Sequence, residues 1–504
     1  MKRTSLLVKP LIALAIISFA FSCSSSFLEV PLQGGITTSN DPALAQKLVT
    51  GVYSSLLQGD SWGNGDVHGF AFLSVTNIIS DDADKGSTPS DQAVPVGDID
   101  NFTLTSTNKF CETLWSGHFF SIGMANQALA QLSIATIDTT LRSQLIGEVR
   151  FIRGYLYFNM VRMFGGVPLV LRVPKDATDA NTDYFIVRAT ASDVYAAIGQ
   201  DLQYATNHLP LKSKSAVGHA TKGAAQTLLA KVNMYQGKWD QVLALTNEVI
   251  ASGQYQLVPD YSTIWRQAGD NSKESIFEIE MGSFNNDNLD IDNYTVCQGV
   301  RVGGKGGWDD LGWGFNNPTT DLANVYEIGD LRKNSTIIFI DNSGAHKGTM
   351  LWDGFRIPSS DSVQNLRYNY KAYTSRTKEQ FANIGDKNRP KNIHILRYAD
   401  VLLMNAEAAL HLGGDVATPL NSVRQRAGLL PKANPTQDDI WQERRVELAM
   451  EHDRFWDLVR QGRAAQVMIA SGKINFVAGK HELLPVPNSQ ILLSGNKITQ
   501  NPNY

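Results

Sequence analysis

What the chain has little of narrows it first. Its 504 residues hold three cysteines, Cys23, Cys111 and Cys297, too few for a disulfide framework at this length. Charge of neither sign dominates: 45 Lys and Arg stand against 49 Asp and Glu, for a net charge of -4, so the basic field that nucleic acid binding requires is missing. No apolar run reaches the roughly 20 residues that cross a bilayer. The nine histidines are scattered, and none pairs with another His or a Cys at ligand spacing, which argues against a catalytic metal. What is abundant is apolar: 43% of residues are hydrophobic and 19% charged, with 21 Phe, 16 Tyr and 9 Trp. Such a chain buries a large core, and disorder is excluded for most of it. Its length sets a prior of about three domains, a number that one elaborated helical body also satisfies.

No reaction motif in the chain is complete. Gly303-Gly304-Lys305-Gly306-Gly307 resembles a phosphate cradle, but no Ser or Thr follows the lysine, as a P-loop requires. His481-Glu482 lacks the second histidine of a zinc protease, and there is no Gly-x-Ser-x-Gly elbow. Asp81, Asp82 and Asp84, and Asp287, Asp290 and Asp292, cluster without the glycine and closing glutamate of an EF-hand loop; solvated turns explain them, and a hydrolytic carboxylate pair is the alternative. No cofactor is expected.

Lys2, Arg3 and Lys9 precede an apolar stretch from Leu11 to Ser22 that ends at Cys23. Its length and place suit an export signal over residues 1–22, not a membrane span. Ala20-Phe21-Ser22 before Cys23 resembles a bacterial lipobox, so cleavage before Cys23 and acylation of its thiol are expected, with Ser24-Ser25-Ser26 as a flexible tether. Cys111 and Cys297 are then expected as two separate buried thiols.

Along the mature chain, windows with apolar residues at i, i+3, i+4 and i+7 predict helices over Leu44–Leu57, Leu114–Leu132 and Leu141–Met163. A helix, a turn at Gly237 and a second helix are predicted over Thr221–Ile250. The theme repeats over Tyr398–Arg426 around Gly413-Gly414. These pairs resemble tetratricopeptide hairpins with irregular spacing, so the expected fold class is mostly α: a scaffold of tetratricopeptide-like helix pairs with long irregular insertions. One helix is predicted from Asp439 to Arg463, its Glu443, Arg444, Arg445, Glu447, Glu451, Arg454, Asp457 and Arg460 forming a partly buried ion network by i,i+3 and i,i+4 contacts. Residues 58–110 and 281–390, rich in Gly, Asn, Asp, Ser and aromatics, read as loops with short strands, where function usually sits.

Those loops carry the candidate site. Trp308, Trp313 and Phe315 lie within eight residues among Gly306, Gly307, Gly312 and Gly314, and Trp62 has a similar setting beside Asn64. An indole offers a flat apolar face to the C–H side of a sugar ring while Asn and Asp side chains accept and donate hydroxyl bonds. The expected ligand-binding residues are therefore Trp62, Asn64, Asp82, Trp308, Trp313 and Phe315.

Motifs in order along the chain then carry a family resemblance. They are Phe27-Leu28-Glu29 and Pro31 after Cys23; Ile79-Ser80-Asp81-Asp82; Glu148 to Phe158 running to Phe164-Gly165-Gly166-Val167-Pro168-Leu169; Leu396 to Met404 with Asn421 to Leu429; Glu443-Arg444 through Gly462; and Leu484-Pro485-Val486-Pro487 with Gln500 to Tyr504. The mature chain resembles the SusD/RagB family of outer-membrane nutrient-uptake lipoproteins. The resemblance implies one compact unit with an N-terminal region over 23–230 and a C-terminal region over 231–504. It implies a binding protein and not an enzyme, held at the outer membrane by lipid and exposed at the cell surface. It further implies a SusC-like TonB-dependent transporter as partner and an oligosaccharide ligand, or a peptide in the RagB branch. A surface glycoside hydrolase is the third reading, resting on the two acidic loops alone.

Overall fold

The computed structural model describes residues 41–281, 293–301, 312–343, 347–375, 377–379 and 391–504. Helix α1 spans Pro42–Ser55 behind the cap Asp41, whose carboxylate accepts the Ala43 N–H at 2.8 Å. Lys109–Ile134 is α2 and Thr139–Phe164 is α3, started by Asn108 and Asp138 side chains that accept the N–H of Phe110 and Leu141. From Leu145 to Phe164 α3 is buried nearly all round, as befits a helix that neighbours enclose. A helix absent from the sequence expectation, α4 at Ala191–His208, packs along it. Arg153 of α3 clasps Asp201 of α4 with two bonds of 2.7 and 2.8 Å.

Two hairpins appear where their periodicity places them. Lys222–Met234 (α5) and Trp239–Ala251 (α6) form one, and Tyr398–Leu412 (α7) and Ala417–Arg426 (α8) the other, with Gly413 ending α7 at φ +71°, a conformation glycine adopts without a Cβ penalty. α6 packs on α7, so the hairpins join. One apolar cluster runs through α1 to α6 and on to Phe455, Leu484, Val486 and Ile498. The mostly helical class therefore holds. Strands are short and pair antiparallel in twos: β1 (Gly59–Asp60) with β2 (Gly65–Asp66), β3 (Ala83–Gly86) with β5 (Phe315–Pro318), and β4 (Ser275–Ile279) with β6 (Ile393–Arg397). Cys111 and Cys297 are both buried and free.

The single helix expected over 439–463 is instead two, α9 at Gln437–Glu447 and α10 at Arg454–Arg460. Between them Met450 and His452 take φ of +65° and +76°, a strained conformation for such residues that a helix cannot continue through. Buried side chains hold the break. Asn77 accepts the His452 N–H at 2.9 Å and donates to the Met450 carbonyl at 3.3 Å, and the His452 ring lies 2.8 Å from both Thr76 Oγ1 and the Tyr294 hydroxyl. The expected ion network exists: Asp457 and Arg460 pair at i,i+3 at 2.6 Å, while most of its other members meet distant partners. Glu447 meets Arg332, Arg397 and Arg426, Glu451 meets Lys371 and Arg397, and Arg454 meets Asp81.

The β1–β2 hairpin sits against α2 through glycine. A Cβ on Gly117 would lie 2.5 Å from the backbone N and O of Asp66. Gly117→Ala is expected to cost about 1–3 kcal/mol in overpacking, more than the roughly 1 kcal/mol of helix propensity it gains. A lower denaturation midpoint checks this; an unchanged or higher one contradicts it.

Candidate functional site: an aromatic shelf on the loops

Asn64-Gly65 closes the β1–β2 turn, and the Asp60 carboxylate accepts the Asn64 N–H at 3.0 Å. Below it the buried Asp66 carboxylate accepts the N–H of Gly69 at 2.9 Å and of Ala71 at 3.1 Å, tying the turn to the short helix Phe70–Leu73. Burial pushes the Asp66 carboxyl up to about 6 against those bonds. The turn lifts Trp62 outward, 40% exposed, while Asn64 beside it is exposed as well.

The second wall comes from a segment distant in sequence. Trp313 N–H donates to the Val296 carbonyl at 2.8 Å, Gly314 N–H to Gly299 at 2.9 Å and Phe315 N–H to Cys297 at 2.8 Å, so three successive residues are pinned. Gly86 pairs with Phe315 across the β3–β5 ladder. Trp313 is thereby set half-buried, 5.9 Å from Trp62 at 64°, an edge-to-face arrangement. Phe70 and Phe110 support Trp62 from below at 5.7 and 6.0 Å. Phe70 packs in turn on Phe315, their ring centres 4.7 Å apart and their planes tilted by 50°.

A polar rim borders the two indoles. Trp62 Nε1 donates to Gln92 Oε1 at 3.3 Å. Arg301 is paired with Asp91 and donates to Ser87 Oγ at 2.6 Å. Both members of that pair are partly exposed. Asn365 Oδ1, close beside Gly314, is buried beneath this rim and lacks a hydrogen-bond partner among the described residues. An exposed indole face, a second at an angle, and donors and acceptors at the edge can hold a polyhydroxylated ring with no bond made or broken. Gln92, Asp91 and Arg301 were not legible in the sequence, because the fold alone brings their loops to the tryptophans.

Of the six expected residues, the structure brings Trp62, Asn64 and Trp313 to this shelf. Phe315 is corrected: at 3% exposed it is a floor beneath the shelf, with Lys85 Nζ 5.5 Å from its ring centre. Asp82 is corrected too. Instead of facing a ligand it is buried, its Oδ1 accepting Arg445 Nε at 2.8 Å, while Arg454 grips Asp81 with two bonds of 2.8 Å. Burial pushes the Asp82 carboxyl up, Arg445 pulling against it. This pair is a structural clamp between the 79–86 segment and α9–α10, not a solvated turn, and it withdraws the support that Asp81-Asp82 lent to a hydrolase. Trp308, Cys23 and Asp287 to Asp292 lie outside the described residues.

Comparison with known proteins agrees with this architecture. The sequence model described as "SusD family" matches residues 273–504, and one described as "Starch-binding associating with outer membrane" matches 72–234. The chain belongs to the SusD family. A SusD-like protein, P2, from Formosa agariphila is 25% identical over 488 residues, 91% of this chain and 92% of that one. Among solved structures, a laminarin-binding SusD-like protein superposes with a TM-score of 0.74 at 29% identity, covering 92% of this chain and all of that one. Surface glycan-binding protein A from Bacteroides thetaiotaomicron, in complex with laminarihexaose, gives 0.76 at 25% identity with coverages of 92% and 100%. The SusD fold thus explains the helix pairs with long insertions, and this member's insertions carry the tryptophan shelf. Among the described residues no helix is long and apolar enough to cross a membrane.

Proposed function

We propose that this SusD-family protein captures glycans for uptake at the outer membrane. It is fastened there by lipid on Cys23, and it passes its ligand to a SusC-like TonB-dependent transporter without cleaving it. The observation that carries the reading is the Trp62–Trp313 pair, 5.9 Å apart with Trp62 exposed and a polar rim alongside. Laminarin and laminarihexaose are named for two of the similar structures, so a β-glucan is the first ligand to try. An indole face recognises the apolar side of a pyranose, and the rim reads its hydroxyls. Trp308, five residues before Trp313 in sequence, is proposed as a further contact.

Native gels cast with laminarin, starch or a polysaccharide of another backbone, run beside a peptide panel in thermal shift, test it. Retardation by at least one glycan, with no stabilisation by peptides, is the expected result. Stabilisation by peptides and mobility unaffected by every glycan would overturn it.

A further inference from the structure

The acids at the β4–β6 ladder lack what most buried carboxylates here have. Glu274, Glu407, Glu443, Glu447, Asp400 and Asp457 all face arginines. Asp270, Glu278 and Glu280 have no Lys or Arg in ion-pairing contact among the described residues. The nearest ammonium groups are engaged elsewhere: Lys391 Nζ donates to the carbonyls of Trp265 and Tyr373 at 2.6 and 2.8 Å, and Lys212 Nζ to those of Ser272 and Ser275 at 2.6 Å each.

The backbone builds a cluster there. His394 of β6 stands directly opposite Glu278 of β4, and the ladder's register shifts just after His394, a bulge that re-aims side chains. After the turn Gln267–Gly269, Asn271 at φ +56° directs its N–H onto Glu278 Oε1 at 3.0 Å, which carries the preceding Asp270 inward. One donor atom each from Asp270, Glu278 and His394 then lies within 4.8 Å of the others. The imidazole is 93% buried by its 7% exposure, with Nδ1 3.1 Å from Glu278 Oε1, and its Nε2 has no hydrogen-bond partner among the described residues. Outer contacts fix the acids: Asn392 Nδ2 donates to Glu278 Oε2 and Glu280 Oε2 at 2.9 Å each, and Asn271 Nδ2 to Glu280 Oε1 at 2.9 Å. A cavity of about 80 Å³ has Asn271 and Glu278 in its wall, beside Lys212.

We propose that Asp270, Glu278 and His394 bind a divalent ion of the zinc class, which staples the β4–β6 ladder to the turn before it. Two carboxylates and an imidazole suit such an ion better than calcium, which prefers six to eight oxygens. Ligand atoms around zinc sit roughly 3.5 Å apart, so the cluster closes by about an ångström on binding, a movement within reach of the half-buried Asp270.

Calorimetric titration of the EDTA-treated mature protein with ZnCl2 tests this, beside Asp270→Asn and His394→Gln, each checked for native circular dichroism. One equivalent is expected to bind, and each folded variant to bind at least tenfold more weakly, as loss of a ligand requires. His394→Gln keeps the bulk of the ring's site, and Asp270→Asn is isosteric, so at least one variant folds. No binding by the native protein, variants that bind as it does, or equal binding of CaCl2 would overturn the proposal.

Discussion

Glu447→Gln is expected to cost about 3–5 kcal/mol of folding free energy, because it leaves buried positive charge uncompensated. Glu447 is fully buried at the C-terminal end of α9, its Oε1 accepting Arg397 Nη1 at 3.0 Å and Arg426 Nη2 at 2.5 Å, and its Oε2 accepting Arg332 Nη1 at 3.0 Å. Arg397 and Arg332 are themselves almost wholly buried, so water cannot replace the lost partner. Burial alone would push the Glu447 carboxyl up; Arg426, Arg397 and Arg332 outweigh it and hold it well below the ordinary carboxylate range. A carboxyl depressed by folding stabilises the protein above its unfolded value of about 4.3, and that stability is lost as pH falls through the folded value. The native protein should therefore weaken progressively on acidification below about pH 4.3, and Glu447→Gln should lose part of that dependence. Denaturant unfolding at pH 7 and at intervals down to pH 3 measures both. A loss under about 1 kcal/mol would show that the arginines find other partners.

The second large effect falls on binding. Trp62→Ala and Trp313→Ala are each expected to weaken glycan affinity at least tenfold, or about 1.4 kcal/mol, as aromatic anchors at a binding centre do. Trp62 is the more exposed, so its loss should leave stability nearly intact; Trp313 also buttresses Trp62 and Phe70, so its loss should cost some stability as well. Touching one another, the two should not add in the double variant. Phe315→Leu supplies the contrast: its ring is covered, so stability should fall and affinity change little in the folded protein. Full affinity in Trp62→Ala would move the ligand elsewhere.

The helical scaffold was legible because its signal is local. Gly237 and Gly413 mark turns, and the 3.6-residue period of α1, α2, α3, α5, α6, α7 and α8 is a property of each segment alone. Helix α4 carries Val194, Ala197, Ile198, Leu202 and Ala205 at the same spacing, so its signal is local too. The break between α9 and α10 was not legible, since it is enforced by Asn77, Thr76 and Tyr294 from far along the chain. Charges on one stretch said that an ion network would form but not with whom. The same limit acted at the shelf. Glycine-rich surroundings marked Trp62 and Trp313, yet they could not separate the exposed Trp62 from the covered Phe315, nor foretell that Asp82 would be spent on Arg445.

The most direct measurement is a calorimetric titration of the native mature protein with laminarihexaose, followed by chromatography of the recovered sugar. Saturable binding near one equivalent, sensitive to Trp62→Ala, with every hexasaccharide returned intact is the expected result. Saturation unaffected by that substitution, or oligosaccharides shorter than six units in the recovered sugar, would contradict capture on an open tryptophan shelf.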